Sequence, residues 1–124
     1  MTATNRLLGY PDDARLLILN ADDFGMYPAI NEAVLNAFKI GAVTSTSLMV
    51  PCPAAPEAMD ILRANPEIGF AVHLTVICDI PTYRFGPLVA KHLVPSLLDE
   101  TGTYYALSRM AEAVAQFNLS ELEL

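Results

Sequence analysis

Leu16-Leu17-Ile18-Leu19-Asn20-Ala21-Asp22-Asp23-Phe24-Gly25 decides how the rest of the chain reads. Four apolar residues, an acidic pair and a glycine describe a short buried strand whose carboxyl end runs into a turn. Pro28 follows, and its missing N–H costs nothing in the first turn of a helix. Ile30, Ala33, Val34, Ala37 and Phe38 then recur at i, i+3, i+4, i+7 and i+8, one apolar helix face, with Gly41 placed for a left-handed cap. Val43 to Val50 is β-branched and hydroxyl-rich and reads as a second strand. Ala58, Ile61 and Leu62 mark a second helix that ends near Asn65-Pro66. A third strand carries His73 and Thr75 among apolar residues. The spacing predicts parallel neighbouring strands near 16–20, 43–50 and 68–76, with helices near 28–40 and 55–64 on one face of the sheet.

The alternation weakens on either side of this βαβαβ unit. Residues 1–14 are polar and turn-prone. Residues 78–105 carry Pro81, Gly86, Pro87, Pro95 and Gly102, and read as a long excursion holding one hairpin. Met110, Ala113, Val114 and Phe117 predict a third helix, and Asn118 with Glu121 forms a capping-box pattern that starts another. That last helix would have under two turns, too few to persist alone. Three parallel strands also leave a wide open edge, which favours self-association into a homo-oligomer. Both features lead us to expect a single domain over 1–124 that is the N-terminal half of a larger barrel.

Composition narrows the classes. In 124 residues, 53% are hydrophobic and 17% charged, which excludes a disordered chain. Seven basic against fourteen acidic residues give a net charge of −7, with no basic cluster to meet a phosphate backbone, so no nucleic-acid partner is expected. No apolar run approaches the ~18 residues of a membrane span, and no signal-type core follows the N-terminus, so a cytoplasmic location is expected. Cys52 and Cys78 form no CxxC and read as buried free thiols.

Asp22 and Asp23 stand where parallel α/β sheets gather their ligands. Adjacent carboxylates repel, and a divalent cation or several hydrogen-bond donors must offset that repulsion. Either they serve metal or acid–base chemistry, or one caps the next helix while the other faces water. His73 is a core histidine or a metal ligand on the same rim, since imidazole plus carboxylate is an ordinary first shell for a catalytic metal. His92, beside Lys91, reads as surface. Tyr83, Arg84 and Phe85, with Tyr104 and Tyr105, either stack on a sugar ring or pack the excursion. Asp23-Phe24-Gly25 also occurs in kinases, but no glycine-rich loop or His-Arg-Asp run accompanies it.

Several blocks in order resemble one known family. Leu17 to Gly25, Pro28-Ala29-Ile30-Asn31-Glu32-Ala33, Val43 to Val50, Val72-His73-Leu74 and Pro95 to Gly102 are similar to the successive motifs of the YdjC-like (ChbG/HpnK) carbohydrate deacetylases. The resemblance runs from about residue 16 to the C-terminus. It implies an incomplete (β/α) barrel of the polysaccharide-deacetylase type and a divalent metal, Mg or Zn. It also implies hydrolysis of acetyl groups on N-acetylated sugars. By that analogy Asp23 and His73 bind the metal and Asp22 is the general base, with the two aspartate roles open to exchange. A downstream His-rich motif of the family, which supplies another ligand and the general acid, has no counterpart in this sequence, so little activity is expected of these residues alone. A helix-capping serine expected at position 27 is replaced by Tyr27. The runner-up is a phosphoacceptor receiver domain binding Mg through the acidic pair. It lacks the required Asp at the end of the third strand, where His73-Leu74-Thr75 stands.

Overall fold

The computed structural model describes residues 3–123. A short helix α1 (Ala3–Leu7) precedes β1 (Asn20–Phe24), α2 (Pro28–Lys39), β2 (Ser45–Leu48), α3 (Ala55–Ala64) and β3 (Gly69–Val72). The strands lie in the order β1-β2-β3 and both pairings are parallel, as the alternating pattern requires. Both helices match their expected spans to within one residue. They share one buried cluster with the sheet, built from Phe24, Val34, Leu48, Ala55, Ala58, Leu62 and Ile68. On α2 the core-facing stripe is the buried Val34 with the half-buried Ile30 and Phe38, while Ala33 faces solvent.

The end of α2 follows from Gly41. Its N–H donates to the Phe38 carbonyl at 2.9 Å and the Ala42 N–H to the Ala37 carbonyl at 2.9 Å. This is the paired closure of a Schellman motif, and it requires the left-handed φ of +70° that Gly41 adopts. At the other end Pro28 occupies the first turn, and Tyr27 supplies no side-chain cap, as its chemistry dictates.

The first strand is displaced from its expected position. It runs over Asn20–Phe24 and not over 16–20, and Leu17 and Ile18 are 75% and 77% exposed. An apolar run becomes a buried strand only where neighbours cover it. Here β2 begins at Ser45, opposite Asn20, and of the run only Leu19 reaches back, its carbonyl accepting from Thr44 N at 2.8 Å and its N–H donating to Thr44 Oγ1 at 3.2 Å. The second and third strands are likewise shorter than 43–50 and 68–76. All four residues of β3 are exposed. Within the polar, turn-prone residues 1–14 the short helix α1 forms. Asn5 organises it by donating to the carbonyls of Pro11, Asp12 and Ala14.

Residues 77–123 build a second layer. The strands β4 (Ile77–Cys78) and β5 (Tyr105–Ala106) pair in parallel, and helix α4 (Met110–Gln116) follows where the third helix was expected. The expected hairpin is reduced to one antiparallel bridge, Leu98 to Tyr104. A second cluster holds this layer, with Met26, Met49, Cys52, Cys78, Phe85, Val94, Leu97 and Tyr104 at its centre, and Ile30 packs against both clusters. The capping box is not made. Asn118 caps Ser120, but Glu121 accepts from Ser96 N and Oγ at 2.9 and 2.8 Å, and the Asn118 N–H donates to Ser96 Oγ at 2.8 Å. A serine distant in sequence occupies the place of the local partner, and residues 119–121 form a 3-10 turn. Both thiols are buried and free, as expected.

Candidate active site

Asp22 and Asp23 occupy the carboxyl end of β1 and His73 directly follows β3, so the parallel register brings all three to one rim. The Leu48 carbonyl accepts from His73 N at 2.9 Å, which fixes the imidazole's backbone against the middle strand. His73 Nδ1 lies 3.5 Å from Asp23 Oδ1, too far for a good hydrogen bond. That nitrogen is buried and has no partner among the described residues. Buried polar atoms are seldom left so.

The pair fits a shared cation. Ligand bonds of about 2.1 Å meeting near the tetrahedral angle set their two donor atoms about 3.4 Å apart, close to the observed separation. Among the described residues no cluster of three or more His, Cys, Asp or Glu side chains that could hold a metal ion is found, so the fit rests on these two donor atoms.

Asp23 is also the one described non-glycine residue with positive φ, at +65°. The strand register slips between Ala21 and Phe24, and this bulge turns the Asp23 side chain out of the simple alternation. Two consecutive aspartates on a regular strand would point to opposite faces. The bulge explains how both serve the same rim.

Asp22 has different surroundings. Its Oδ1 accepts from Ser47 Oγ at 2.6 Å and from Asn20 Nδ2 at 2.6 Å, and Ser45 Oγ donates to Asn20 Oδ1 at 2.6 Å. The Ser47 hydroxyl above all, then the Asn20 amide, hold the Asp22 carboxyl below the usual aspartate range. Asn20, Asp22, Ser45 and Ser47 are thus a polar ladder on the sheet face away from the helices. In the sequence the hydroxyls of β2 read as a sign of strand alone. The missed signal was their period of two, Ser45 and Ser47, matching Asn20 and Asp22 across the pairing.

The aromatic stretch is engaged within the protein. The Tyr83 hydroxyl donates to the Met26 carbonyl, and its ring lies 4.2 Å from that of Tyr27. Phe85 belongs to the second buried cluster. Arg84 donates to the Asp99 carboxylate, to Thr103 Oγ1 and to the Tyr104 carbonyl. His92 is exposed, as its sequence context suggests. An apolar-walled cavity of about 430 Å³ opens beside His73, with Val72, Leu74, Leu88 and Leu97 in its walls. Asp22 and Asp23 stand outside it.

A parallel α/β sheet with a carboxylate pair and an imidazole on its carboxyl rim defines the class. Within that class the chain belongs to the YdjC-like family, whose model matches residues 16–124. It is 38% identical over 107 residues to a carbohydrate deacetylase of Enterococcus faecalis, covering 86% of this chain and 38% of the relative. It is 35% identical over 109 residues to a carbohydrate deacetylase of Geobacillus stearothermophilus, covering 88% and 40%. A crystal structure from Enterococcus faecalis, described as a cellobiose-phosphate cleavage protein, superimposes with a TM-score of 0.72 at 37% identity, covering 85% of this chain and 38% of the other. The chain therefore spans about two fifths of the length of the relatives it matches. The receiver reading finds no support in these matches. No described helix is long and apolar enough to cross a membrane.

Proposed function

We propose that residues 16–124 form the opening part of a metal-dependent carbohydrate deacetylase, with the βαβαβ unit as the start of an incomplete (β/α) barrel. The observation that carries this reading is the partnerless His73 Nδ1 facing Asp23 Oδ1 at 3.5 Å. It is supported by the named activity of the relatives. Asp23 and His73 would hold a divalent cation, Mg or Zn. Such an ion polarises an amide carbonyl and acidifies bound water. Asp22 remains ionised because Ser47 and Asn20 donate to it, and it accepts the proton of the attacking water. The Asp22 oxygen Oδ2 accepts no hydrogen bond among the described residues and is the atom available for that proton. The substrate is an N-acetylated sugar, and its acetamide carbon is the point of attack. Protonation of the departing amine falls to a group outside this set.

The test is acetate release from N-acetylglucosamine oligomers with added Mg²⁺ or Zn²⁺. The 124-residue chain is compared with a chimera in which residues 16–124 replace the matching part of the Enterococcus relative. The chimera should deacetylate, and the chain alone should show little turnover, since two protein ligands bind metal weakly. Asp22→Asn in the chimera should lower the rate about 10²- to 10⁴-fold. Wild-type rates in that variant would remove Asp22 as the base.

A further inference from the structure

Asn31 belongs to a motif that the chemistry above leaves unused. It lies in the first turn of α2, is fully buried, and is one of few buried polar residues among the described ones. Its Oδ1 accepts from Gly25 N at 2.7 Å, and its Nδ2 donates to the Ala54 carbonyl at 3.1 Å and to Glu57 Oε2 at 2.9 Å. One amide thus joins the turn after β1, the body of α2 and the start of α3. Helical side chains lean toward the N-terminus, so a residue at this place in α2 reaches back over the turn that precedes it.

That turn is the one that sets Asp23. Asp23 has φ +65°, Gly25 has φ +92°, and Met26 N donates to the Asp23 carbonyl at 3.0 Å. Non-glycine residues adopt the left-handed region at a cost and persist there only where the surroundings impose it. Gly25 supplies part of that imposition. A Cβ at Gly25 would lie 3.1 Å from the Ala55 backbone and 3.0 Å from Leu48 Cδ1, so the turn is pressed against α3. The Gly25 N–H, buried in that contact, has Asn31 Oδ1 as its acceptor.

We infer that Asn31 is a positioning residue. By holding the Gly25 amide it locks the left-handed turn at Asp23, and so aims the Asp23 carboxylate at His73 Nδ1. This deepens the metal reading, on which its functional part rests. The turn-locking part stands on the backbone geometry alone.

The experiment uses the 124-residue chain with Mn²⁺ as probe, followed by its electron paramagnetic resonance signal, and with amide hydrogen exchange at Gly25. Asn31→Ala is compared with Val34→Ala, a buried cavity variant in the same helix that leaves the Gly25 bond intact. Asn31→Ala should speed exchange at Gly25 and weaken Mn²⁺ binding about tenfold or more, in line with the loss of groups that orient metal ligands. Val34→Ala should do neither, even where it lowers Tm as much. The three-bond HN–Hα coupling of Asp23 in the wild type provides a measurement that needs no variant to fold, and it should report the left-handed φ. A slow Gly25 amide in Asn31→Ala, or a coupling that shows Asp23 extended, overturns the inference. Equal Mn²⁺ loss in Val34→Ala overturns its functional part. A wild type that ignores Mn²⁺ while Gly25 responds as expected overturns the metal reading and leaves the lock standing.

Discussion

The βαβαβ unit over 20–72 and the layer over 77–123 are held by different chemistry. The first is a periodic structure, in which apolar side chains at helical spacing meet a sheet across one cluster, with Asn31 as a buried polar tie. The second has two-residue strands and short turns, and adds a largely buried ion pair to its apolar cluster. Arg84 spans from Asp99 to the Tyr104 carbonyl, and the Asp99 side chain is only 5% exposed. Periodicity specifies a region from its own sequence. An anchor specifies one only once distant residues have met.

The largest effect that would break this comparison is loss of the anchor. Asp99→Ala leaves the Arg84 guanidinium without its carboxylate in a mostly buried place, and should cost about 3–5 kcal/mol in urea denaturation. A loss below ~1 kcal/mol would mean that the second layer is as apolar in its energetics as the first.

Next in size, Leu62→Ala opens the helix-side cluster and should cost about 2–4 kcal/mol in the same measurement. Amide exchange should then rise over α2 and α3 before it rises over β4 and β5. Uniform acceleration would make the two clusters one cooperative unit.

Acid sharpens the contrast further. Burial would raise the Asp99 carboxyl, but the Thr101 hydroxyl and amide, Arg84 and the Thr103 amide together hold it below the ordinary aspartate value. Its folded pKa is thus lower than its unfolded one. The stability it gives is complete above the unfolded value and is lost as pH falls through the folded one. Wild-type stability should therefore fall across the acid range below the ordinary aspartate value, and Asp99→Asn should flatten that fall. An unchanged acid profile in the variant would assign the loss to other carboxylates.

The smallest effect lies at the end of α2. Gly41→Ala must adopt φ +70° with a side chain, and should lower stability by about 1 kcal/mol. A neutral outcome would show that the cap contributes little beside the helix's packing.

Legibility in the sequence follows the same division. The spans of α2 and α3 and the parallel order were readable because 3.6-residue periodicity, Pro28 and Gly41 act locally. The position of β1 was not readable, because what makes a strand of an apolar run is the neighbour that pairs with it. The four leucine and isoleucine residues from Leu16 to Leu19 lie beyond the start of β2. The convergence of Asp22, Asp23 and His73 on one rim was readable from residue type and strand order. The Asn20–Ser45–Ser47 ladder and the Asn31 strut were not, since each depends on a cross-chain register or on a side chain reaching over a turn. The Glu121–Ser96 contact escaped for the same reason.

Cys52 and Cys78 both lie in the second cluster, and neither lies in the helix-side one. Burial pushes the Cys52 thiol up to about 11 and raises that of Cys78, so in the closed protein both are protonated and shielded from reagent. Disulfide-exchange reagents will therefore react only when that cluster opens. The chain carries its own clock for the opening of one cluster, and that clock is silent about the other.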